Sequence, residues 1–296
     1  MSNQRSHYVT TADGVTIGGT VHGQGPALVF VQGIMGDGDI DWQALVEHLS
    51  DRFTCFLPSW RGRGLSGEHP DLSFGRLVDD VLAYVDSTGE PTGLVGWSGG
   101  ADLALAAAAA RSDAVDAVAP VEPVMPRLMD EHEQVVIGDA VARMGELAAE
   151  GRLTDAMRAF AGFPFNDEDI AVAEDAGYFE AAGRYVPNLL DLLQQHMAGE
   201  GSTVDDPAVL GAISAPVLVV HGSDTKPYAT AAARHVVQHV PNARIREIPG
   251  AGHASPLTHP EALADALTEF FSPAQRPDPP IGTSMHVSGS RHLGRG

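Results

Sequence analysis

Apolar positions along the chain follow two different periods, and these alternate. Pro26-Ala-Leu-Val-Phe-Val31 is apolar almost throughout and stops at Gly33. Such a run predicts a strand buried on both faces, as in a parallel sheet. Thr54–Leu57, Gly93–Trp97, Val115–Val121, Pro216–Val220 and Ile245–Ile248 repeat the pattern. Between them the spacing turns helical: Trp42, Leu45, Val46 and Leu49, then Phe74–Val85, the Ala-rich Ala101–Arg111, Thr230–Val240 and Pro260–Phe271. Ahead of these, Tyr8–Ile17 and Gly19–His22 predict a short hairpin with a type I′ turn at Asp13-Gly14.

Strands that alternate with helices predict an α/β fold, because each crossover lays a helix on a mostly parallel central sheet and both faces become covered. Residues 123–210 interrupt the alternation with mostly helical sequence between two core strands. They predict a helical cap over one sheet edge, with a core formed by 1–122 and 211–272. Residues 273–296 carry Pro, Gly, Ser and Arg without periodicity, and a disordered tail is expected there.

Composition removes several function classes. The 296 residues are 44% hydrophobic, enough for a sizeable core, and carry a formal net charge of −21. That excess of acid repels phosphate backbones and anionic lipid, so neither nucleic acid nor membrane is an expected partner. Cys55 is the one cysteine, which excludes an intramolecular disulfide and a thiolate metal cluster. With no dinucleotide fingerprint either, no cofactor is expected. Met1–His7 has no apolar stretch and the greasy run Leu103–Ala110 is too short to cross a bilayer, so a cytoplasmic monomer or homodimer is the expectation.

Gly96-Trp-Ser-Gly-Gly100 carries the chemistry. A G-x-S-x-G stretch between a buried strand and a helix places its serine on a tight bend, with the helix N-terminus beside any charge that develops there. Ser98 is the candidate nucleophile and needs a base. Of the thirteen histidines, His253 follows the last strand in Ile248-Pro-Gly-Ala-Gly-His253 and falls on the same sheet edge. His221 also ends a strand and reads as structural. The oxyanion donors expected are the backbone N–H of Gly99 and that of Ile34, in the turn Val31-Gln-Gly-Ile-Met-Gly36.

The strand order, Gly-Trp-Ser-Gly-Gly, the late Gly-Ala-Gly-His and Pro58-Ser-Trp-Arg-Gly-Arg-Gly-Leu-Ser66 together resemble the α/β-hydrolase superfamily over about residues 8 to 271. The last stretch is similar to that family's P-D-x-R-G-x-G-x-S loop, with Ser59 in place of Asp, and Gln32-Gly33 stands where many relatives have His-Gly. Two carboxylates compete for the third triad place. Asp224 follows Val220-His-Gly-Ser, but the family motif usually reads H-G-x-x-D, so Asp224 comes one residue early and Thr225 holds the expected position. Glu122, in Ala119-Pro-Val-Glu-Pro-Val124, resembles the acid of the zearalenone-type lactonases. Glu122 is preferred and Asp224 is the alternative. The methionines and aromatics of 123–210, among them Met125, Met129, Met144, Met157, Met197 and Phe163, predict the cap's own core and, for a minority, a pocket wall suited to a medium-sized hydrophobic ester or lactone. Carbon–carbon bond hydrolysis, cofactor-free perhydrolysis, or a weakly catalytic ligand sensor on the same scaffold are the alternatives.

Overall fold

In the computed structural model, which describes residues 4–198 and 204–272, each apolar run forms a strand. The hairpin β1 (Arg5–Thr10) and β2 (Thr16–Gly23) leads into β3 (Ala27–Val31), α1 (Gly38–Val46), β4 (Thr54–Pro58) and α2 (Phe74–Asp86). Next come β5 (Thr92–Trp97), α3 (Gly99–Ala110) and β6 (Val115–Val121). The helical segment contains α4 (Glu131–Ala149), α5 (Leu153–Ala161), α6 (Asp167–Asp175), α7 (Tyr178–Gly183), α8 (Val186–Ala198) and α9 (Pro207–Gly211). The sheet then resumes with β7 (Val217–Gly222), α10 (Pro227–His239), β8 (Ala243–Ile248), α11 (Ser255–Thr258) and α12 (Pro260–Phe271).

The described strands form one sheet in the order β1-β2-β4-β3-β5-β6-β7-β8. β2 pairs antiparallel with β1 and β4, and every pairing from β4 through β8 is parallel. This is the α/β-hydrolase architecture. β3 and β5 are buried at every position, as continuous apolar runs between two helix layers must be. Phe30, Trp42 and Trp97 meet edge to face, with centroids 5.3 and 6.2 Å apart, and lock α1 onto the sheet. Each such side chain contributes roughly 1.5–3 kcal/mol by leaving water.

Local signals place most helix starts. Asp130 and Glu133 form a reciprocal capping box at α4, as do Asn166 and Asp169 at α6. Pro227 and Pro260 occupy the first positions of α10 and α12, where a missing N–H costs nothing. α3 begins at Gly99, ahead of its apolar pattern, because the chain turns from strand to helix at Ser98 itself.

One local expectation fails. A type I′ turn needs two left-handed residues, and in this connection Gly14 alone has positive φ, 86°. The hairpin closes instead through a longer loop, with Thr11 N–H donating to Val15 O at 2.8 Å. The Asp13 carboxylate is held by the Thr11 hydroxyl and by Arg61 at 3.1 Å, which fixes the turn from outside. Arg61 is fully buried and grips Asp80 with two bonds of 2.7 and 2.6 Å, tying the loop after β4 to α2. The expected tail at 273–296 lies outside the described residues. Among the described residues no helix is long and apolar enough to cross a membrane.

Candidate active site

All the predicted site residues lie at the C-terminal edge of the parallel strands, where α/β sheets bind ligands. Ser98 sits between β5 and α3 with φ 55° and ψ −124°, a strained conformation for a non-glycine residue. The residues two positions to either side must lack side chains. A Cβ on Gly96 would run into the Gly100 carbonyl, and one on Gly100 into the carbonyls of Val31 and Gln32. The bend is pinned by Ser98 N–H donating to Val121 O at 2.9 Å.

His253 lies between β8 and α11 and is 1% exposed. Its carbonyl accepts the Trp97 indole N–H at 2.8 Å, which fastens the histidine loop to the residue before Ser98. Its Nδ1 is 3.1 Å from Glu122 Oε2. Glu122 is wholly buried and has positive φ, 52°, one of two non-glycine residues in that region among the described residues, with Ser98. The Gly222 N–H donates to Glu122 Oε1 at 2.6 Å and the Thr225 hydroxyl to Oε2 at 2.5 Å. The carboxylate is thus aimed by β7 and its following loop, and an Nδ1–H is the imidazole donor that completes its shell.

Asp224 is not brought to the imidazole. It is exposed, its Oδ1 accepts from Ser223 Oγ at 2.8 Å, and its N–H donates to Ala251 O at 2.9 Å. Thr225, at the position where the family motif carries its acid, turns toward the site and steadies Glu122 instead. His221 bonds to the neighbouring Gly222 carbonyl at 3.0 Å and stands 3.9 Å from Glu247, apart from Ser98.

Gly33, Ile34 and Gly99 border the same cavity as Ser98 and His253. The turn that carries Ile34 is held from several sides. Gln32 donates to Gly36 O at 2.7 Å and accepts the Trp60 N–H at 3.0 Å, so glutamine in place of histidine braces the turn. Gly33 N–H donates to Asp41 at 2.8 Å, and Arg63 donates to the Ile34 and Gly36 carbonyls at 2.6 and 2.9 Å. Ser59 Oγ accepts the Gly38 N–H at 3.1 Å. Burial pushes the Asp41 carboxyl up to about 8. Sequence reasoning missed Asp41, Arg63 and Trp97, whose roles depend on contacts across the fold. It registered Thr225 only as a departure from a motif.

The cavity above Ser98 has a volume of about 570 Å³, within the range of small-molecule sites. Core residues Ile34, Met35, Trp60 and Trp97 form one side, and Met125, Ile137, Phe160 and Phe163 from the helical segment form the other. Met197 also borders it, while Met144 and Met157 are buried within the segment itself and Met129 packs with Phe163 and Tyr228. Asp102, one turn into α3, and Asp205 are wall residues too, and burial holds the Asp102 carboxyl well above its usual range. Arg127 at the wall is paired with Asp205 at 3.3 Å.

A buried histidine–carboxylate pair and a serine on a strained strand-to-helix bend border one mostly apolar cavity, an arrangement in keeping with a hydrolase. The chain belongs to the alpha/beta hydrolase fold family, whose model matches residues 26–260. It is 26% identical over 261 residues to the 2-(acetamidomethylene)succinate hydrolase of Mesorhizobium japonicum, a match that spans 87% of this chain and 92% of that protein. An alpha/beta hydrolase from Sphaerobacter thermophilus superposes with a TM-score of 0.68 at 28% identity, covering 90% of this chain and 100% of the other. The 2-hydroxy-6-oxo-6-phenylhexa-2,4-dienoate hydrolase of a Rhodococcus species shares the fold, with a TM-score of 0.72 at 21% identity over 92% of this chain and 99% of that one.

Proposed function

We propose that this hydrolase cleaves a carboxylic ester or lactone of a medium-sized hydrophobic substrate through Ser98, His253 and Glu122, under a cap formed by the helical segment. The observation that carries the reading is the 3.1 Å contact between His253 Nδ1 and a fully buried Glu122, at the edge of the cavity that Ser98 borders. Glu122 keeps a proton on Nδ1 and stabilises the imidazolium, so Nε2 is the nitrogen left to accept the Ser98 proton as Oγ attacks the carbonyl carbon. The Gly99 and Ile34 N–H groups take the oxyanion. His253 then returns the proton to the leaving alcohol, and water repeats the two steps on the acyl-enzyme.

The substrate of the Mesorhizobium relative is a succinate derivative and carries two carboxylates. The cavity here suits such a ligand poorly. Its arginine, Arg127, is already paired with Asp205, and the buried Asp102 carboxyl on the same wall offers no positive charge. Uncharged apolar esters and lactones match it better. The test is labelling by a fluorophosphonate probe together with turnover of aryl esters of rising chain length and of macrolactones. Labelling that disappears in Ser98→Ala supports the reading. Labelling that persists in that variant, or its absence in the wild type, refutes it.

A further inference from the structure

The second residue of α10, Tyr228, takes no part in the triad, yet it borders the cavity that Ser98 borders. It is 3% exposed, and its ring centroid lies 6.5 Å from that of His253. The ring is stacked flat on Phe163, 4.9 Å away and 11° from parallel, so its position is fixed by packing. Its hydroxyl is buried and has no hydrogen-bond partner among the described residues. Phenylalanine would fill the same stack without burying an unmatched polar atom, and an unmatched buried hydroxyl weakens a fold. The Tyr84 hydroxyl is also unpaired, but it does not border this cavity. Trp60 does border it, on the Gly99 side, and its indole N–H is likewise unpaired. Two side chains of the cavity wall, Tyr228 and Trp60, therefore carry buried neutral donors without a partner among the described residues.

We propose that the Tyr228 hydroxyl donates a hydrogen bond to an uncharged oxygen of the substrate close to the scissile bond, a keto, ether or lactone-ring oxygen, and so selects oxygenated substrates over plain hydrocarbon ones. The inference rests on Ser98 acting as the nucleophile. Burial and the carboxylates of Glu122, Glu133 and Asp169 push the phenol well above its usual range, so it stays a neutral donor. The same carboxylates oppose an anionic acceptor, which leaves neutral oxygen as the partner.

Tyr228→Phe tests this. kcat/KM is measured for two matched pairs, p-nitrophenyl 4-oxopentanoate against pentanoate and 2-methoxyethyl against butyl hexanoate, in wild type and variant. Comparing each pair's ratio between the two proteins cancels the esters' intrinsic reactivity. The expected result is a preference for the oxygenated member of at least one pair that drops roughly two- to tenfold in Tyr228→Phe, with a melting temperature no lower than wild type. Unchanged ratios in both pairs overturn the proposal, whether the melting temperature holds or falls, and a fall marks the hydroxyl as structural. Wild-type labelling by fluorophosphonate separates the cases: a labelled protein with unchanged ratios loses only the Tyr228 role, whereas an unlabelled one loses the serine mechanism and this inference with it.

Discussion

Replacing Glu122 by Gln changes almost no volume and exchanges one acceptor oxygen for an NH2 group, so its effect can be worked out from the hydrogen bonds. The wild-type carboxylate faces three donors: Gly222 N–H at 2.6 Å, the Thr225 hydroxyl at 2.5 Å and His253 Nδ1 at 3.1 Å. The oxygen of the substituted amide can satisfy either the Gly222 side or the His253 side. If it stays on Gly222, the NH2 points at Nδ1, which must then accept. The imidazole proton moves to Nε2, the nitrogen needed to receive the Ser98 proton, and the wrong tautomer costs about three to four decades of kcat. If the amide flips, the tautomer is right, but the NH2 confronts Gly222 N–H. Leaving those two donors unpaired in a buried site costs about 1–3 kcal/mol each. Both routes converge on a fall in kcat of about 10²–10⁴-fold. The Thr225 hydroxyl can rotate to accept and opposes neither orientation.

The assay is initial-rate turnover of an aryl ester by purified Glu122→Gln and Asp224→Asn, with thermal melts to show that both fold. Asp224→Asn should stay within about twofold of wild type, since its exposed carboxylate reaches only Ser223. Retention of more than a tenth of wild-type kcat in Glu122→Gln would refute the reasoning, and so would an equal loss in Asp224→Asn. Either result would assign the orientation of His253 to another group.

Gly100→Ala should destabilise the protein by about 1–3 kcal/mol or more and remove fluorophosphonate labelling, because the new methyl meets the Val31 and Gln32 carbonyls; urea denaturation and labelling read the two effects. Burial pushes the Cys55 thiol up to about 12, so Ellman's reagent should leave the native protein unmodified and titrate one thiol in guanidinium, and fast labelling without denaturant would contradict this. Asp41 holds its proton up to about 8 in the fold, whereas the unfolded chain releases it near pH 4, roughly its reference value. Its contribution to stability is therefore complete below about pH 4, lost as pH rises to about 8, and flat above. Asp41→Asn should flatten that part of the dependence of the urea midpoint on pH, and parallel curves for the two proteins would count against a protonated Asp41.

What could be read in the sequence was what depends on period and on short-range sterics. β3 and β5 announce themselves because a strand buried on both faces has no polar position to hide it. Ser98 is legible because only glycine fits at Gly96 and Gly100 in a bend of that sharpness. That Glu122 and not Asp224 meets His253 was harder to read, since both close strands at one edge and the pairing rests on how two loops run in three dimensions. The signal lay in Thr225: where the family motif places an acid, this chain has a hydroxyl, and a hydroxyl there can donate to a carboxylate arriving from β6. The hairpin turn failed for the opposite reason. Asp13-Gly14 is a strong local signal, and Arg61, distant in sequence, overrides it. Tyr228 carried no signal at all, because an unpaired hydroxyl is visible only once its surroundings are known.

The helical segment does more than roof the cavity, and the buried polar groups show how. Tyr178 on α7 donates to Asp41 Oδ1 at 2.9 Å, while Asp41 Oδ2 accepts the Gly33 N–H. Asn188 on α8 accepts from Arg63 Nε at 2.7 Å, while Arg63 Nη1 holds the Ile34 and Gly36 carbonyls. Asp41 and Arg63 are both essentially inaccessible to solvent, so neither can replace a lost partner with bulk water, and a displaced helix would leave buried polar groups unpaired. The turn that carries the Ile34 N–H is therefore fixed jointly by the core and by α7 and α8. Tyr178 also borders the cavity. A ligand that shifts Tyr178 must shift the Asp41 bond and with it the anchor of Gly33, so under the proposed mechanism substrate shape and oxyanion geometry are coupled through one connected set of side chains. Substitutions in α7 and α8 made to widen the pocket should for that reason change kcat together with KM, and a series that alters KM alone would show the two functions to be separable.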